Sequence, residues 1–296
     1  MTTAVPGGPL QSQRVPAGTH SVSVHGLAQG GLRRRGDELA VEEPLEIRLD
    51  DGSGARTLGI TMRTPGYDFE LVAGLLLAEA VVSRREEIRR IAYCVDRSLD
   101  EAQRFNVVTA RLAGAAGRTG LERQLVTSSA CGVCGTSSIE SVMAAGHPAL
   151  GPGPMLSAEL LCALPELLGA HQRGFARTGA LHGAALVDET GRLLVAREDV
   201  GRHNAVDKVV GWALLRGAIP LADVALVVSG RVSFEIVQKA LRAGIALVAA
   251  VSAATSLAVR LAREREMTLA GFVRDGGATL YAGPERITGL EREEER

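Results

Sequence analysis

Short blocks of alternating or continuous apolar residues mark most of the chain. Leu45 to Leu49 alternates apolar and polar positions, as a strand with one buried face does, and Leu58 to Met62 is its candidate partner. Thr64-Pro65 reads as a helix opening, with Thr64 as cap and Pro65 in the first turn. Leu71, Leu75 and Ala78 then follow at helical spacing. Ser83-Arg-Arg-Glu86 has the form of a capping box and predicts a second helix; Asn106 to Leu112 predicts a strand.

Beyond the flexible Gly114 to Gly120 linker, a capping box at Ser137-Ser-Ile-Glu140 and a helix from Ser157, broken near Pro165, lead into a hairpin. Its arms are Leu181 to Val187 and Leu193 to Ala196, turning at Glu189-Thr-Gly191. Next come a helix over Asn204 to Leu215, the β-branched run Val224 to Val228, a helix from Ser233 and the strand Ala246 to Val251. A helix from Thr255 and two strands around Phe272 and Leu280 complete the series. Strand and helix in alternation predict a parallel sheet covered on both faces.

The division that follows is a mobile tail over 1–20, rich in Pro, Gly, Ser and Thr, a smaller α+β unit over 21–124, an α/β unit over 125–290 and a frayed charged end over 291–296.

Composition narrows the function. A 46% hydrophobic, 23% charged chain of 296 residues is ordinary for a globular protein. A net charge of -1 and 3% aromatics give no general pull on nucleic acid or anionic membranes and few platforms for stacking bases. The longest uncharged apolar stretch, Ile245 to Ala254, is about half of the ~20 residues a membrane span requires. Four cysteines make no disulfide framework, and the start shows no secretory pattern, so a cytoplasmic protein with reduced thiols is expected. There are only two lysines, Lys208 and Lys239.

The chemistry concentrates in Cys131-Gly-Val-Cys134-Gly135. Polar, Gly-rich flanks place this pair in a loop, and the capping box places a helix start close behind it, where thiolate is favoured over thiol. Three uses remain open on the residues alone. Half of a zinc site needs further ligands from Cys94, Cys162, His182 or His203. A dithiol redox pair and a sulfur carrier need nothing more, and spacing does not separate them. Cys94 and Cys162 have apolar neighbours and read as small buried residues. Leu181-His-Gly-Ala184 has Ala184 where a zinc deaminase needs Glu, and the cysteine pair precedes the histidine, so deaminase chemistry is not predicted.

Three junctions are candidate anion sites. Glu198-Asp-Val-Gly-Arg-His-Asn-Ala-Val-Asp-Lys208 sets Arg202 and His203 at a helix start. Ser229-Gly230-Arg231 and Ser252 to Ser256 each follow a strand, where α/β sheets bind ligands, and two such turns suit the phosphates of a nucleotide. Phe272-Val273-Arg274-Asp275-Gly276-Gly277 is a hairpin turn or a contact for a phosphate or pterin.

Taken in order, Thr64-Pro-Gly-Tyr-Asp68, Ser129-Ala-Cys-Gly-Val-Cys-Gly135, Thr178-Gly-Ala-Leu-His-Gly183, Glu198 to Lys208, Ser229-Gly-Arg231 and Ala270-Gly-Phe-Val-Arg274 resemble the FdhD family over roughly Gly36 to Ile287. That resemblance implies a sulfur carrier needed for formate dehydrogenase activity. It would take sulfur from a cysteine desulfurase and hand it to the molybdenum bis-guanine-dinucleotide cofactor, its substrate. Cys131 is the implied persulfide carrier, with Cys134 assisting; Phe272, Val273, Arg274, Asp275, Gly276 and Gly277 are the implied cofactor contact. Ser229, Gly230, Arg231 and His203 are added from their position. The resemblance further implies a cytidine-deaminase-like three-layer α/β/α fold without its zinc, beside the smaller α+β unit. It also implies a homodimer, with no stoichiometric metal and neither nucleic acid nor membrane as partner. A cofactor-holding chaperone without transfer chemistry and a zinc-stabilised module are the competing readings.

Overall fold

The computed structural model describes residues 18–28, 30–94, 105–113 and 148–290. The alternation at 43–50 becomes strand β3 (Glu43–Asp50), paired antiparallel with β4 (Ala55–Arg63). With β5 (Ile88–Tyr93) and β6 (Val107–Leu112) they form a sheet of order β4-β3-β6-β5, in which β3 and β6 run parallel. Helix α1 (Asp68–Ala78) covers it, and all eleven of its residues are buried.

Three local expectations in this half are corrected. Helix α1 starts three residues after Pro65, capped by Tyr67 in the left-handed region at φ 59°. Thr64 instead accepts a hydrogen bond on its hydroxyl from Val200 N–H. Ser83 binds the carboxylate of Glu87, not Glu86, and introduces only a 3-10 turn at Arg85–Glu87 before β5. The segment read as tail already contains the start of β1 (Thr19–Ala28), which forms a two-stranded ribbon with β2 (Gly31–Ala40).

The remaining elements are β7 (Leu156–Ser157), α2 (Ala158–Gly169), α3 (Arg173–Thr178), β8 (His182–Asp188), β9 (Leu193–Asp199) and α4 (Arg202–Leu215). They are followed by β10 (Val224–Val228), α5 (Phe234–Arg242), β11 (Leu247–Ala250), α6 (Ser256–Glu264), β12 (Thr268–Arg274), β13 (Gly277–Ala282) and β14 (Ile287–Thr288), which pairs with β7. Helix α2 runs unbroken through Pro165, with Ser157 as its cap accepting from Leu160 N–H.

The six-stranded sheet has the order β13-β12-β11-β10-β8-β9. Its centre, β10-β11-β12, is parallel as expected; β13 and the β8-β9 hairpin are antiparallel additions at its two sides. Alternate residues feed two cores. Ala184, Leu186, Leu226, Val228, Val248 and Ala250 pack with α4, α5 and α6, while Ala185, Val187, Ala225, Val227, Leu247 and Ala249 pack with Leu161, Leu164 and Leu168 of α2. The result is the three-layer α/β/α arrangement, and the first of these cores continues without a break into α1 and the N-terminal sheet.

Two glycines permit that continuity. A β-carbon on Gly211 of α4 would stand 1.8 Å from Glu70 O, and one on Gly74 of α1 would stand 2.0 Å from Asp207 O. The backbones of α1 and α4 therefore touch directly.

Candidate functional site

The carboxyl ends of β10, β11 and β12 form one rim, laced by backbone hydrogen bonds. Ser229 N–H donates to Gly183 O, and Gly183 N–H donates to Ser229 Oγ at 2.9 Å. Val232 N–H donates to Ala253 O, and Thr255 N–H returns a bond to Val232 O. Phe272 N–H donates to Ser252 O. The structure therefore brings the three strand-end turns singled out in the sequence to one edge. Neighbouring strands lie about 4.8 Å apart, so the β10 and β12 ends are separated by roughly 10 Å.

Helix α4 ends on this rim with its N-terminus. Gly201 is its cap and supplies no side chain, so the first-turn N–H groups receive no side-chain cap among the described residues. Arg202 and His182 close over Gly230. A β-carbon on Gly230 would lie 3.3 Å from His182 Nδ1 and 3.6 Å from Arg202 Cβ. Arg202 Nε is buried and has no hydrogen-bond partner among the described residues. Burial holds the His182 imidazole below its ordinary titration range; Arg202 adds to this, Asp199 opposes it, and His203 and Arg231 reinforce it.

Most of the polar run 198–208 turns out to be scaffold. Glu198 accepts from Gly174 N–H at 2.8 Å and Phe175 N–H at 2.7 Å, closing the start of α3. Asp199, wholly buried, accepts from Gly201 N–H, Asn204 Nδ2 and Thr64 N–H and pairs with Lys208 at 2.7 Å. Asp207 takes both oxygens to Lys239 Nζ, at 2.7 and 2.8 Å. These are buried pairs, not the surface pairs of a well-capped exposed helix. What faces the rim is Arg202 and His203.

His203, singled out as a ligand contact, has Nε2 engaged at 3.1 Å from Ser233 Oγ and 2.8 Å from Glu235 Oε2. Arg231 stands exposed on the rim, with no ion pair among the described residues. Arg202 belongs with it. The sequence places Arg202 at the same helix start as His203 but does not rank the two; burial of its unpaired Nε does. His182, weighed in the sequence only as a zinc ligand and as part of the Thr178 to Gly183 motif, has no local signal for a place on this rim, because the pairing of β8 with β10 is what sets it beside Gly230.

The segment Phe272 to Gly277 is a tight hairpin: Asp275 and Gly276 both have positive φ, at 52° and 74°, between the paired Arg274 and Gly277. Phe272 is itself left-handed, at φ 50°, and stands partly exposed under the Arg274 guanidinium at 5.5 Å from its ring centre. Val273 is the exception in the expected contact set, because its side chain is buried in the core beneath α2. Arg274, Asp275, Gly276 and Gly277 are exposed.

Cys131 and Cys134 lie outside the described residues. Cys94 and Cys162 are free thiols, partly buried. Among the described residues no group of three or more His, Cys, Asp or Glu is placed to hold a metal. No described helix is long and apolar enough to cross a membrane.

The FdhD/NarQ family model matches residues 40–288. The chain belongs to this family. Named relatives include the sulfur carrier protein FdhD of Streptomyces avermitilis, 48% identical over 265 residues, covering 88% of this chain and 93% of that one. That of Mycobacterium tuberculosis is 47% identical over 271 residues, covering 90% and 97%. Among solved structures, a candidate formate dehydrogenase accessory protein from Desulfotalea psychrophila superposes with a TM-score of 0.71 at 26% identity, over 91% of this chain and 99% of that chain. The FdhD/NarQ match thus takes in α1, both sheets and every rim residue named above.

Proposed function

We propose that this FdhD/NarQ protein carries sulfur on Cys131 and delivers it to the molybdenum bis-guanine-dinucleotide cofactor destined for formate dehydrogenase. The observation that carries this reading is near-full-length similarity to sulfur carrier proteins at 44–49% identity, together with a Cys131-Gly-Val-Cys134 pair whose sequence neighbours are polar and glycine-rich.

The chemistry balances with the chain's own thiols. The Cys131 thiolate attacks the terminal sulfur of a persulfide on a cysteine desulfurase. The donor's S–S bond breaks, its thiolate leaves, and the sulfur remains on Cys131 as a persulfide. For delivery, the Cys134 thiolate attacks Sγ of Cys131, closing a Cys131–Cys134 disulfide and expelling the terminal sulfur as sulfide. The dithiol supplies the two electrons, and a thiol reductant reopens the disulfide.

The rim supplies the binding half. Arg202, Arg231 and the uncapped start of α4 offer positive charge and N–H groups to the diphosphates of the dinucleotide substrate, and the Phe272 ring with Arg274 offers a flat face at its far side. The protein acts in the cytoplasm, as a homodimer, with the desulfurase and formate dehydrogenase as partners.

The test is activation of formate dehydrogenase in cells lacking the endogenous carrier. Cys131→Ala is expected to abolish activation while the protein still accumulates. Full activation by a Cys131→Ala, Cys134→Ala double variant would replace the transfer reading with that of a cofactor-holding chaperone.

A further inference from the structure

The ribbon of β1 and β2 has no core of its own. No residue of either ten-residue strand is buried. A lone hairpin is marginal in water unless further strands or another surface cover it. Among the described residues β2 pairs only with β1, so its other side presents a row of unpaired N–H and C=O groups about 33 Å long. The leucines paired next to the turn, Leu27 and Leu32, are 82% and 69% exposed.

The charge along β2 is self-complementary. Arg33, Arg34 and Arg35 precede Gly36, and Asp37 and Glu38 follow it. Side chains alternate across a strand, so Arg35 and Asp37 lie on one face of the ribbon and Arg34 and Glu38 on the other. A second β2 laid antiparallel about a two-fold axis at Gly36 sets Arg35 opposite Asp37 and Arg34 opposite Glu38, each twice. A slip of two residues in either direction sets Arg35 opposite Arg35 or Asp37 opposite Asp37, so charge selects this register. Within one chain Arg35 reaches Asp37 at 3.4 Å with both side chains exposed, and neither is used up by that contact. Glu38 accepts from the Arg177 guanidinium, which puts α3 on its face of the ribbon. Leu32 lies on that same face and falls opposite Ala40 of the second copy. That face carries the second copy's α3, whose Phe175 is 47% exposed.

We infer that β2 is a dimer edge, at which two copies of this chain join antiparallel about Gly36 into one four-stranded sheet of order β1-β2-β2-β1. This rests on the homodimer reading and names the surface that makes it. The contact is isologous, each copy giving the same residues. Backbone hydrogen bonds along the edge supply the attraction, the four charged pairs fix the register, and the exposed leucines at each tip are covered.

The experiment is sedimentation velocity of the full-length protein at low salt, near the concentration at which the wild type is half dimeric. One variant carries Arg34→Glu and Arg35→Glu, and the other carries Asp37→Arg and Glu38→Arg. Each alone meets like charge across the edge and is expected to run as a monomer, its dissociation constant raised at least about tenfold. An equal mixture of the two restores an opposite charge at every position and is expected to run as a dimer. Circular dichroism matching the wild type shows that each variant is folded. Either variant dimerising as well as the wild type would overturn the inference and leave the homodimer reading to another face. A mixture that stays monomeric would overturn it as well. A monomeric wild type at every concentration would overturn both readings and leave the ribbon to a foreign partner.

Discussion

Lys208 Nζ lies 2.7 Å from Asp199 Oδ2, with 1% and 0% of the two side chains exposed, and it also donates to Thr64 O at 2.9 Å and Glu198 O at 3.2 Å. One ammonium thus ties the end of β9, the body of α4 and the loop before α1. Removing one partner of such a pair strands the other charge out of water. Lys208→Met is expected to lower unfolding stability by about 3–5 kcal/mol, and adding Asp199→Asn to recover part of it. Urea unfolding of the two variants checks this; a Lys208→Met protein as stable as wild type would show that the pair holds nothing.

The crossing of α1 and α4 gives a second prediction. Replacing a mid-helix glycine by alanine ordinarily stabilises a helix by about 1 kcal/mol. At Gly211 the added methyl would sit 1.8 Å from Glu70 O, a backbone atom that cannot rotate away. Gly211→Ala is therefore expected to destabilise, by about 2 kcal/mol or more. Gly169→Ala, at the end of α2 with nothing within 4 Å, is the control and is expected to be neutral or stabilising. Thermal unfolding of both separates helix propensity from packing.

Much of this was legible along the chain. The β-branched run Val224 to Val228 and the hairpin around Glu189-Thr-Gly191 carry their own pairing and turn signals, and both appear where expected. What was not legible depends on long-range placement. The Glu198 to Lys208 run reads in sequence as an anion site at a helix start, and nothing local announces that α1 will bury α4 and turn Asp199, Asp207 and Lys208 inward. The lysines that pair with Asp199 and Asp207, Lys208 and Lys239, are the chain's only lysines, and both are buried. The Ser83 box fails because Glu87 competes for the serine and β5 follows at once. Pro165 does not break α2: a proline in the body of a helix disfavours but does not forbid it where one face packs as tightly as Leu161, Leu164 and Leu168 do.

Stability should also depend on pH through His182. Its folded-state titration lies below the ordinary value of 6.5, so the unfolded chain binds more protons as pH falls. The folded state accordingly loses stability as pH drops through about 6.5 and has that contribution in full above it. His182→Gln removes this dependence. Denaturant unfolding at pH 8, 7, 6 and 5 is expected to show a smaller acid-side loss in the variant; parallel curves would show that His182 titrates alike folded and unfolded.

The central claim is that Cys131 carries the sulfur. Intact-protein mass spectrometry under non-reducing conditions, after incubation with an active cysteine desulfurase and cysteine, tests it most directly. A gain of one sulfur atom is expected in the wild type, absent in Cys131→Ala and removed by a thiol reductant. A wild-type protein that gains no sulfur, or a Cys131→Ala variant that gains it equally, would contradict the account.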